Sequence, residues 1–260
     1  MRKIYIVKTG STFAEIAQEL GDFEDWIARG LSATQLFPPL HIEVIHAQQS
    51  STEAVTYPDP ALCAGVVITG SHAMVTDDEA WLQQLRTWLQ AVCAAQVPTL
   101  GICFGHQLLA QVLGGKVAEH PAGLELGTVP VSLQTDVSHD PLWAHMPECF
   151  DAQVVHYQSV RQLPPQAQVL AGNSHEGCQA FRWKQHVWGV QFHPEFEAIA
   201  MQRYIEHLQR TLASHGSALT APTQLRATPE AASLLPRFAA YVHQHTYAKP
   251  LSATAATEVI

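Results

Sequence analysis

The sequence predicts an α/β fold in which a mostly parallel central sheet carries helices on both faces. Short runs of β-branched residues alternate with segments of helical periodicity, a pattern typical of parallel strands joined by crossover helices. The run at 97–103 is almost entirely apolar, as expected of a strand in the middle of such a sheet. With 260 residues, the chain is long enough to bury a large core without disulfides or metals.

The first half of the chain contains the parallel part of the predicted sheet. Its strands are predicted at 4–7, 41–46, 65–69 and 97–103. Apolar residues recur at helical spacing over 81–92, between the third and fourth strands, and again over 108–113. A glycine pair at 114–115 ends the second of these helices. We interpret this as a flavodoxin-like or Rossmann-like arrangement.

From residue 116 to residue 192 the pattern changes to short strands separated by Pro, Gly and Asn turns. These strands are predicted at 127–133, 153–156, 169–171, 178–183 and 187–192. We interpret them as a small antiparallel excursion that returns to the main sheet at its last strand. A helix at about 198–212 then completes a domain spanning 1–213. Residues 214–260 are predicted to form a linker to 228, a short amphipathic helix at 229–245 and a frayed tail.

The charge balance argues against nucleic acid as a partner. The chain has 14 Lys and Arg against 23 Asp and Glu, and it contains no basic patch. Charged residues make up only 14% of the chain and hydrophobic ones 47%, which excludes charge-driven disorder for most of it. No apolar run approaches the ~20 residues of a membrane span, and the first residues lack a signal-peptide core. We therefore expect a soluble, cytoplasmic protein that binds neither nucleic acid nor membranes.

The cysteines and histidines do not form a metal motif. The five cysteines are scattered and include no C-x-x-C pair, which argues against a disulfide framework and against a zinc ribbon. The fifteen histidines include no H-E-x-x-H. Neither G-x-x-x-x-G-K-[ST] nor G-x-G-x-x-G occurs, so no nucleotide site is predicted. We expect neither a metal nor a cofactor.

A candidate nucleophile stands where the fourth strand runs into a helix. The pattern there is G-x-C-x-G at 101–105, which is typical of a nucleophile elbow with Cys103 at its tip. The two glycines remove Cβ atoms that would clash with the strand and the helix. The helix N-terminus favours a thiolate, and its backbone N–H groups can bind an oxyanion. The alternative is a buried cysteine in an ordinary strand–helix turn.

A candidate base follows the last predicted strand. His193 lies at the carboxyl end of that strand, where ligands bind in open α/β sheets. Pro194 rigidifies the chain and directs Glu195 back towards the imidazole. A carboxylate in that position orients the ring and stabilises the imidazolium. The alternative is a strand-end histidine beside a turn, without a catalytic role.

Together, these two motifs resemble those of the class I, or triad-type, glutamine amidotransferases. The family carries G-[IVL]-C-x-G-x-Q, here at 101–107, and a downstream Q-[FY]-H-P-E, here at 191–195. Both motifs match in full, and the resemblance covers most of 1–213. Two further segments, G-D-F-x-x-W at 21–26 and T-G-S-x-x-x-V-x-D at 69–77, resemble stand-alone domains similar to the glutaminase half of GMP synthase.

The resemblance implies a role for each motif residue. Cys103 attacks the side-chain amide of glutamine, giving a γ-glutamyl thioester and ammonia. His193 is the general base and acid, and Glu195 orients it. The backbone N–H groups of Gly70 and Phe104 form the oxyanion hole. The implied substrate-binding residues are Ser71, Gln107, Gln158 and Ser159.

Three further positions have two interpretations each. His156 is either a packed strand-end residue or a functional one. The segment 11–40 either covers the mouth of the active site or simply packs an insertion helix onto the domain. The C-terminal helix packs on its own domain or docks a second subunit, as in a homodimer.

Three functions follow from the resemblance. The first is production of ammonia from L-glutamine for a synthetase partner protein, because the chain has no synthetase half of its own. The second is hydrolysis of γ-glutamyl peptides or amides by the same triad. The third is a catalytically quiet regulatory subunit, against which the intact triad argues.

Overall fold

The computed structural model describes residues 2–48, 55–214 and 224–247. Within these ranges the strands are β1 Lys3–Lys8, β2 Ile42–His46, β3 Cys63–Ile68, β4 Thr99–Ile102, β5 Lys116–Glu119, β6 Glu125–Leu133, β7 Cys149–His156, β8 Gln158–Gln162, β9 Ala167–Gly172, β10 Ala180–Trp183 and β11 Val187–Val190. The helices are α1 Ala14–Leu20, α2 Phe23–Leu31, α3 Ala80–Ala94, α4 Phe104–Val112, α5 Ala198–Ser214, α6 Pro229–Ala232 and α7 Leu234–Tyr247. The frayed tail and most of the linker predicted at 214–228 lie outside the described residues.

The main sheet has the order β2-β1-β3-β4-β11-β10-β9-β6-β7. Strand β1 pairs in parallel with β2 and β3, β3 pairs in parallel with β4, and β4 pairs in parallel with β11. The remaining strands, from β11 to β7, pair antiparallel. The predicted fold class is therefore confirmed, including the return of the antiparallel excursion through β11. The carboxyl ends of β3, β4 and β11 meet at one edge of the sheet.

A second, two-stranded sheet was not predicted from the sequence. It pairs β5 with β8 in antiparallel register, with Val117 opposite Val160. Of the four residues of β5 only Val117 is buried, so no alternation marks the strand. A single residue, Tyr157, lies between the end of β7 and the start of β8, so no turn signal separates the two strands in the sequence. This small sheet fixes the turn at Tyr157 next to the edge where the parallel strands end.

The core has one layer on each face of the main sheet. On one face, α3 and α4 bury apolar side chains such as Leu85, Leu89 and Leu108. On the other face, α2 and α7 bury Ile27, Phe238 and others of the same kind. Full burial of each such side chain contributes about 2 kcal/mol. Among the described residues, none of the helices is long and apolar enough to cross a bilayer.

Helix α7 packs on the sheet of its own chain. Its Phe238 meets Trp188 of β11 edge-on at 6.5 Å between ring centroids. Its Val242 is fully buried over Gly65 of β3, where a Cβ atom built on the glycine would lie 2.7 Å from Val242 Cγ2. Of the two interpretations of the C-terminal helix, the structure supports packing on its own domain. Gly65 is what allows the close approach.

The Gly65→Ala variant should be destabilised by about 1–3 kcal/mol, because its methyl group overlaps Val242 in a packed core. In a Val242→Ala background the same substitution should cost clearly less, since the overlapping atoms are gone. Urea denaturation of the four proteins measures the coupling. Additive losses would contradict this account of the contact.

Candidate active site

The predicted nucleophile and base meet at the edge formed by the carboxyl ends of the parallel strands. Cys103 follows β4, Gly70 lies just after β3, and His193 lies just after β11. A Cβ atom built on Gly70 would lie 3.0 Å from His193 Cε1 and 3.8 Å from Cys103 Cβ. Both side chains therefore converge on the Gly70 backbone. Residues far apart in the sequence are brought together by strand order alone.

Cys103 occupies a sharp turn between β4 and α4. Its φ of 50° and ψ of −100° are unusual for a residue with a side chain and store strain at this position. A Cβ at position 101 would overlap the Gly105 carbonyl group, 2.5 Å from its carbon, and a Cβ at 105 would lie 2.5 Å from Ile68 O. The Cys103 N–H donates to Val190 O at 2.8 Å, which ties the turn to β11. The geometry is that of a nucleophile elbow, as predicted.

His193 is held from several sides. Its backbone N–H donates to Gln153 O at 2.8 Å, and its Nδ1 lies 2.7 Å from Glu195 Oε1. The imidazole stacks on Phe196 at 4.1 Å between centroids. Its Nε2 is buried and, apart from the neighbouring Cys103 thiol, has no partner among the described residues. Nε2 is therefore free to exchange a proton with a group in the cavity.

The electrostatics around His193 favour the charged ring. Burial lowers the pKa of His193, but the charges of Glu195 and of the Cys103 sulfur outweigh burial and raise that pKa to about 10. Both His193 and Glu195 are almost completely buried, so the pair is screened from water. A protonated ring beside the Cys103 sulfur is the arrangement expected of a cysteine nucleophile with its acid–base partner.

A cavity of about 270 Å³ opens over Cys103 and His193. One end is polar and includes Gln107 and Gln158. The Gln107 amide donates to Gln158 O at 2.8 Å and to Gln191 Oε1 at 3.0 Å, and the Gln158 amide donates to Thr76 Oγ1 at 2.9 Å. The other end is mainly aromatic. The two catalytic candidates lie between the two ends.

The structure places most of the predicted site residues at this cavity. Phe104, Ser71, Gln107 and Gln158 line it together with Cys103 and His193. Ser71 Oγ donates to Thr9 O at 2.8 Å and accepts from the Ala73 N–H at 3.1 Å, so the loop after β3 is fixed. Ser159 is not brought into the cavity. It is fully buried, and its Oγ accepts from Arg161 at 3.3 Å.

Sequence reasoning missed Glu125, which pairs with His156 beside the cavity. His156 Nε2 lies 2.8 Å from Glu125 Oε2, and its Nδ1 lies 3.0 Å from Gln158 O. The Gln158 carbonyl is an acceptor, so His156 Nδ1 donates to it, and Nε2 faces the Glu125 carboxyl group. The Asn173 and Gln179 amides also donate to Glu125, each at 2.7 Å. This buried network holds the turn at 156–158 in place.

The pKa of Glu125 reflects the same network. Burial raises this pKa, but the hydrogen bond and charge of His156 outweigh burial and lower it. The pair spans 31 positions in the sequence, and no local pattern marks the glutamate at the start of β6. His156 was interpreted either as a packed residue or as a functional one. In the structure its side chain is packed and also lines the cavity.

The segment 11–40 packs on the domain and also forms part of the cavity lining. Its helix α2 begins with a capping box between Asp22 and Asp25. Asp22 also accepts from Lys8 Nζ at 2.7 Å and from the Thr12 N–H at 2.8 Å, which fastens the segment to the end of β1. Its Phe23 stacks against the His193 ring at 6.2 Å between centroids and lines the cavity.

Within the described ranges, no three His, Cys, Asp or Glu side chains are grouped so that they could hold a metal ion. All five cysteines are free thiols, and Cys149 is the exposed one.

Comparison with known proteins gives one family. The sequence model of the class-I glutamine amidotransferases matches residues 20–209. Gamma-glutamyl peptidase 5 of Arabidopsis thaliana is 31% identical over 134 residues, 51% of this chain and 53% of that protein. The glutamine-hydrolyzing GMP synthase of Thermomicrobium roseum is 38% identical over 132 residues, 50% of this chain and 23% of that protein. The matches thus span about half of the peptidase and a quarter of the synthase.

Solved structures show the same fold. The glutamine amido transferase of Methylobacillus flagellatus superimposes with a TM-score of 0.68 over 94% of both chains, at 21% sequence identity. At this level of sequence identity, the similarity shows that the two proteins share a fold.

The Glu195→Gln variant should have a lower His193 pKa than the value of about 10, because burial then acts with less opposition. A raised pKa stabilises the folded protein below the unfolded-state value of about 6.5 and loses this contribution as pH rises towards 10. The wild type should therefore lose stability over that range, and the variant should lose less. Urea denaturation across the range measures both.

The control for this experiment is Glu15→Gln, which removes the carboxylate that pairs with the ring of His207 on the surface. This variant should keep the wild-type pH dependence. An unchanged slope in Glu195→Gln would contradict the assigned cause of the His193 shift.

The Glu125→Gln variant should lose about 3 kcal/mol of stability, because it removes one partner of a buried histidine–carboxylate pair. The matched variant Glu43→Gln breaks an exposed pair with Lys3 and should cost far less, because water screens that pair. Chemical denaturation at neutral pH compares them. Equal losses would contradict a stabilising role for the buried Glu125–His156 pair.

Proposed function

Because this chain belongs to the class-I glutamine amidotransferases, we propose that it hydrolyses the side-chain amide of glutamine through a γ-glutamyl thioester on Cys103. The observation that carries the proposal is the convergence of the Cys103 elbow and the His193–Glu195 pair on the Gly70 backbone. Amide hydrolysis by this route needs a thiolate, a proton donor for the departing nitrogen and donors for an oxyanion.

The first half of the reaction forms the thioester. The Cys103 sulfur attacks the amide carbon, and negative charge develops on the carbonyl oxygen. The N–H groups of Gly70 and Phe104 receive that oxygen. Phe104 is the first residue of α4, whose opening N–H groups have no acceptor within the helix. The C–N bond then breaks as His193 gives its proton to the nitrogen, and ammonia leaves.

The second half releases glutamate. His193, now neutral, takes a proton from a water molecule that attacks the thioester carbon. The C–S bond breaks, the thiolate returns, and glutamate departs. Glu195 keeps the His193 ring oriented through the bond at Nδ1 and stabilises its charged form throughout.

The polar end of the cavity suits the amino-acid head of the substrate. We assign Gln107, Gln158 and Ser71 to its recognition. Gln158 Oε1 is buried without a partner among the described residues, so it can accept from a substrate ammonium group. Ser159 does not line the cavity, and its hydroxyl accepts from Arg161.

The fate of the ammonia depends on a partner. The similarity to GMP synthase supports delivery to a synthetase partner protein, because this chain matches a quarter of that enzyme. A second function, hydrolysis of γ-glutamyl peptides, is favoured by one observation. The cavity continues beyond His193 into a space lined by Phe13, Tyr204 and Leu208 that ammonia does not need.

The test measures glutamate release by the purified chain from glutamine and from γ-glutamyl dipeptides, together with covalent labelling of Cys103 by a glutamine-mimicking electrophile. The Cys103→Ser variant should lose more than about 10³-fold of the turnover and all of the labelling. Its thermal unfolding should match that of the wild type, since the side-chain volume hardly changes. Turnover retained in Cys103→Ser, or an unlabelled wild type, would contradict the proposed function.

A further inference from the structure

The cavity is asymmetric about the Cys103–His193 pair. At one end Gln107, His156 and Gln158 are joined to one another by hydrogen bonds. At the other end lies a continuous aromatic wall, which consists of Phe13, Phe23, His72, Tyr204 and the aliphatic Leu208. This aromatic end is contributed by the segment 11–40, the loop after β3 and helix α5.

The aromatic end begins at the catalytic base itself. The Phe23 ring stacks with His193 at 6.2 Å and meets His72 edge-on at 6.4 Å between centroids. Phe13 continues the wall at 4.4 Å from His72 and 5.1 Å from Tyr204. Any group bound next to His193, on the side away from Gln107 and Gln158, therefore meets aromatic rings.

The polar atoms of this end are already engaged. The Tyr204 hydroxyl accepts from Thr12 Oγ1 at 2.8 Å and lies 3.3 Å from His72 Nε2. Burial and the neighbouring charge of His193 lower the pKa of His72, so this ring is neutral at neutral pH. Tyr204 keeps its proton, because burial raises the pKa of the phenol. The aromatic end thus has no charged group of its own.

Apart from His193 itself, the ionisable side chains described next to this wall are paired with one another. His207 stacks on Phe13 at 3.6 Å and pairs with Glu15 at 2.5 Å. Asp22, the residue before Phe23, forms an ion pair with Lys8. A polar or charged side chain on the leaving group would lose water here without gaining a partner, whereas an apolar side chain would gain burial.

The reaction fixes which part of a substrate lies at this end. The leaving nitrogen must be close to His193, because that residue supplies its proton. The glutamyl part extends from the Cys103 sulfur towards Gln107 and Gln158. Whatever substituent the leaving nitrogen carries must therefore run along Phe23 and Phe13.

We infer, on the basis of the proposed function, that the preferred substrates are γ-glutamyl amides whose amine part carries an aromatic or branched aliphatic side chain. Phe13 and Leu208 are the residues that determine this specificity. The Cys103 thiolate attacks the γ-carbonyl carbon, the C–N bond breaks, and the His193 proton passes to the departing amine. Water then cleaves the thioester to give glutamate, so no other reactant is needed.

The test compares kcat/KM for γ-glutamylphenylalanine, γ-glutamylleucine, γ-glutamylglycine and glutamine. The first two should exceed the last two by about tenfold or more, as expected when an apolar side chain fills an apolar site. Phe13→Ala should reduce kcat/KM for γ-glutamylphenylalanine by about tenfold, and that for γ-glutamylglycine by less than about threefold. Leu208→Gln provides a second variant on helix α5, in case Phe13→Ala fails to fold.

The matched control is Phe37→Ala. Phe37 is 74% exposed and lines a different groove of the protein, so this variant should keep the wild-type preference. Labelling of Cys103 by the electrophile is measured in every variant to show that the catalytic pair is intact.

The outcomes separate this inference from the proposed function. Equal kcat/KM for all dipeptides, or turnover of glutamine alone, would overturn the inference. If Cys103 is labelled in that case, the proposed thioester chemistry still holds. An unlabelled Cys103 without turnover of any substrate would overturn both. A preference for γ-glutamylphenylalanine that Phe13→Ala and Leu208→Gln leave unchanged would overturn the assignment to these two residues.

Discussion

The close approach of α4 to the ends of β3 and β4 is the constraint on which the whole site depends. It is possible only because positions 101 and 105 carry no side chain, as the carbonyl groups of Gly105 and Ile68 occupy the space of a Cβ atom. The approach forces Cys103 into its strained conformation at the start of the helix. Because the Cys103 N–H is bonded to β11, the same contact sets the distance to His193, which follows that strand.

The cavity lies between two buried histidine–carboxylate pairs, His193 with Glu195 and His156 with Glu125. Each ring is buried against its own carboxylate, and removing one partner of a buried pair is costly. The first pair faces the reacting atoms. The second, through Gln158 O, holds the polar end of the cavity in shape. In the proposed reaction, the first pair transfers the proton and the second holds the residues assigned to substrate recognition.

The cavity wall is supported from outside the parallel sheet. Helix α2, which carries Phe23, is fastened to the end of β1 through Asp22 and Lys8. On its far side it packs against α7, where Leu235 lies so close to Gly30 that a Cβ there would overlap it. The C-terminal helix thus stabilises the helix that forms the wall beside His193. A change in the packing of α7 would reach the site through α2.

Local sequence was enough to determine the parallel strands, the elbow and the His193–Glu195 pair, because each depends on neighbouring residues. The strands follow from runs of β-branched side chains, and the elbow from glycines two positions on either side of Cys103. The pair follows from a carboxylate two positions after the histidine. Tertiary structure decided what depends on residues distant in the chain. The β5–β8 sheet, the Glu125–His156 pair and the aromatic end of the cavity each join segments that are distant from one another in the sequence. Ser159 shows the same limit: it lies in β8, a strand that was not predicted, and it is buried outside the cavity where β8 pairs with β5.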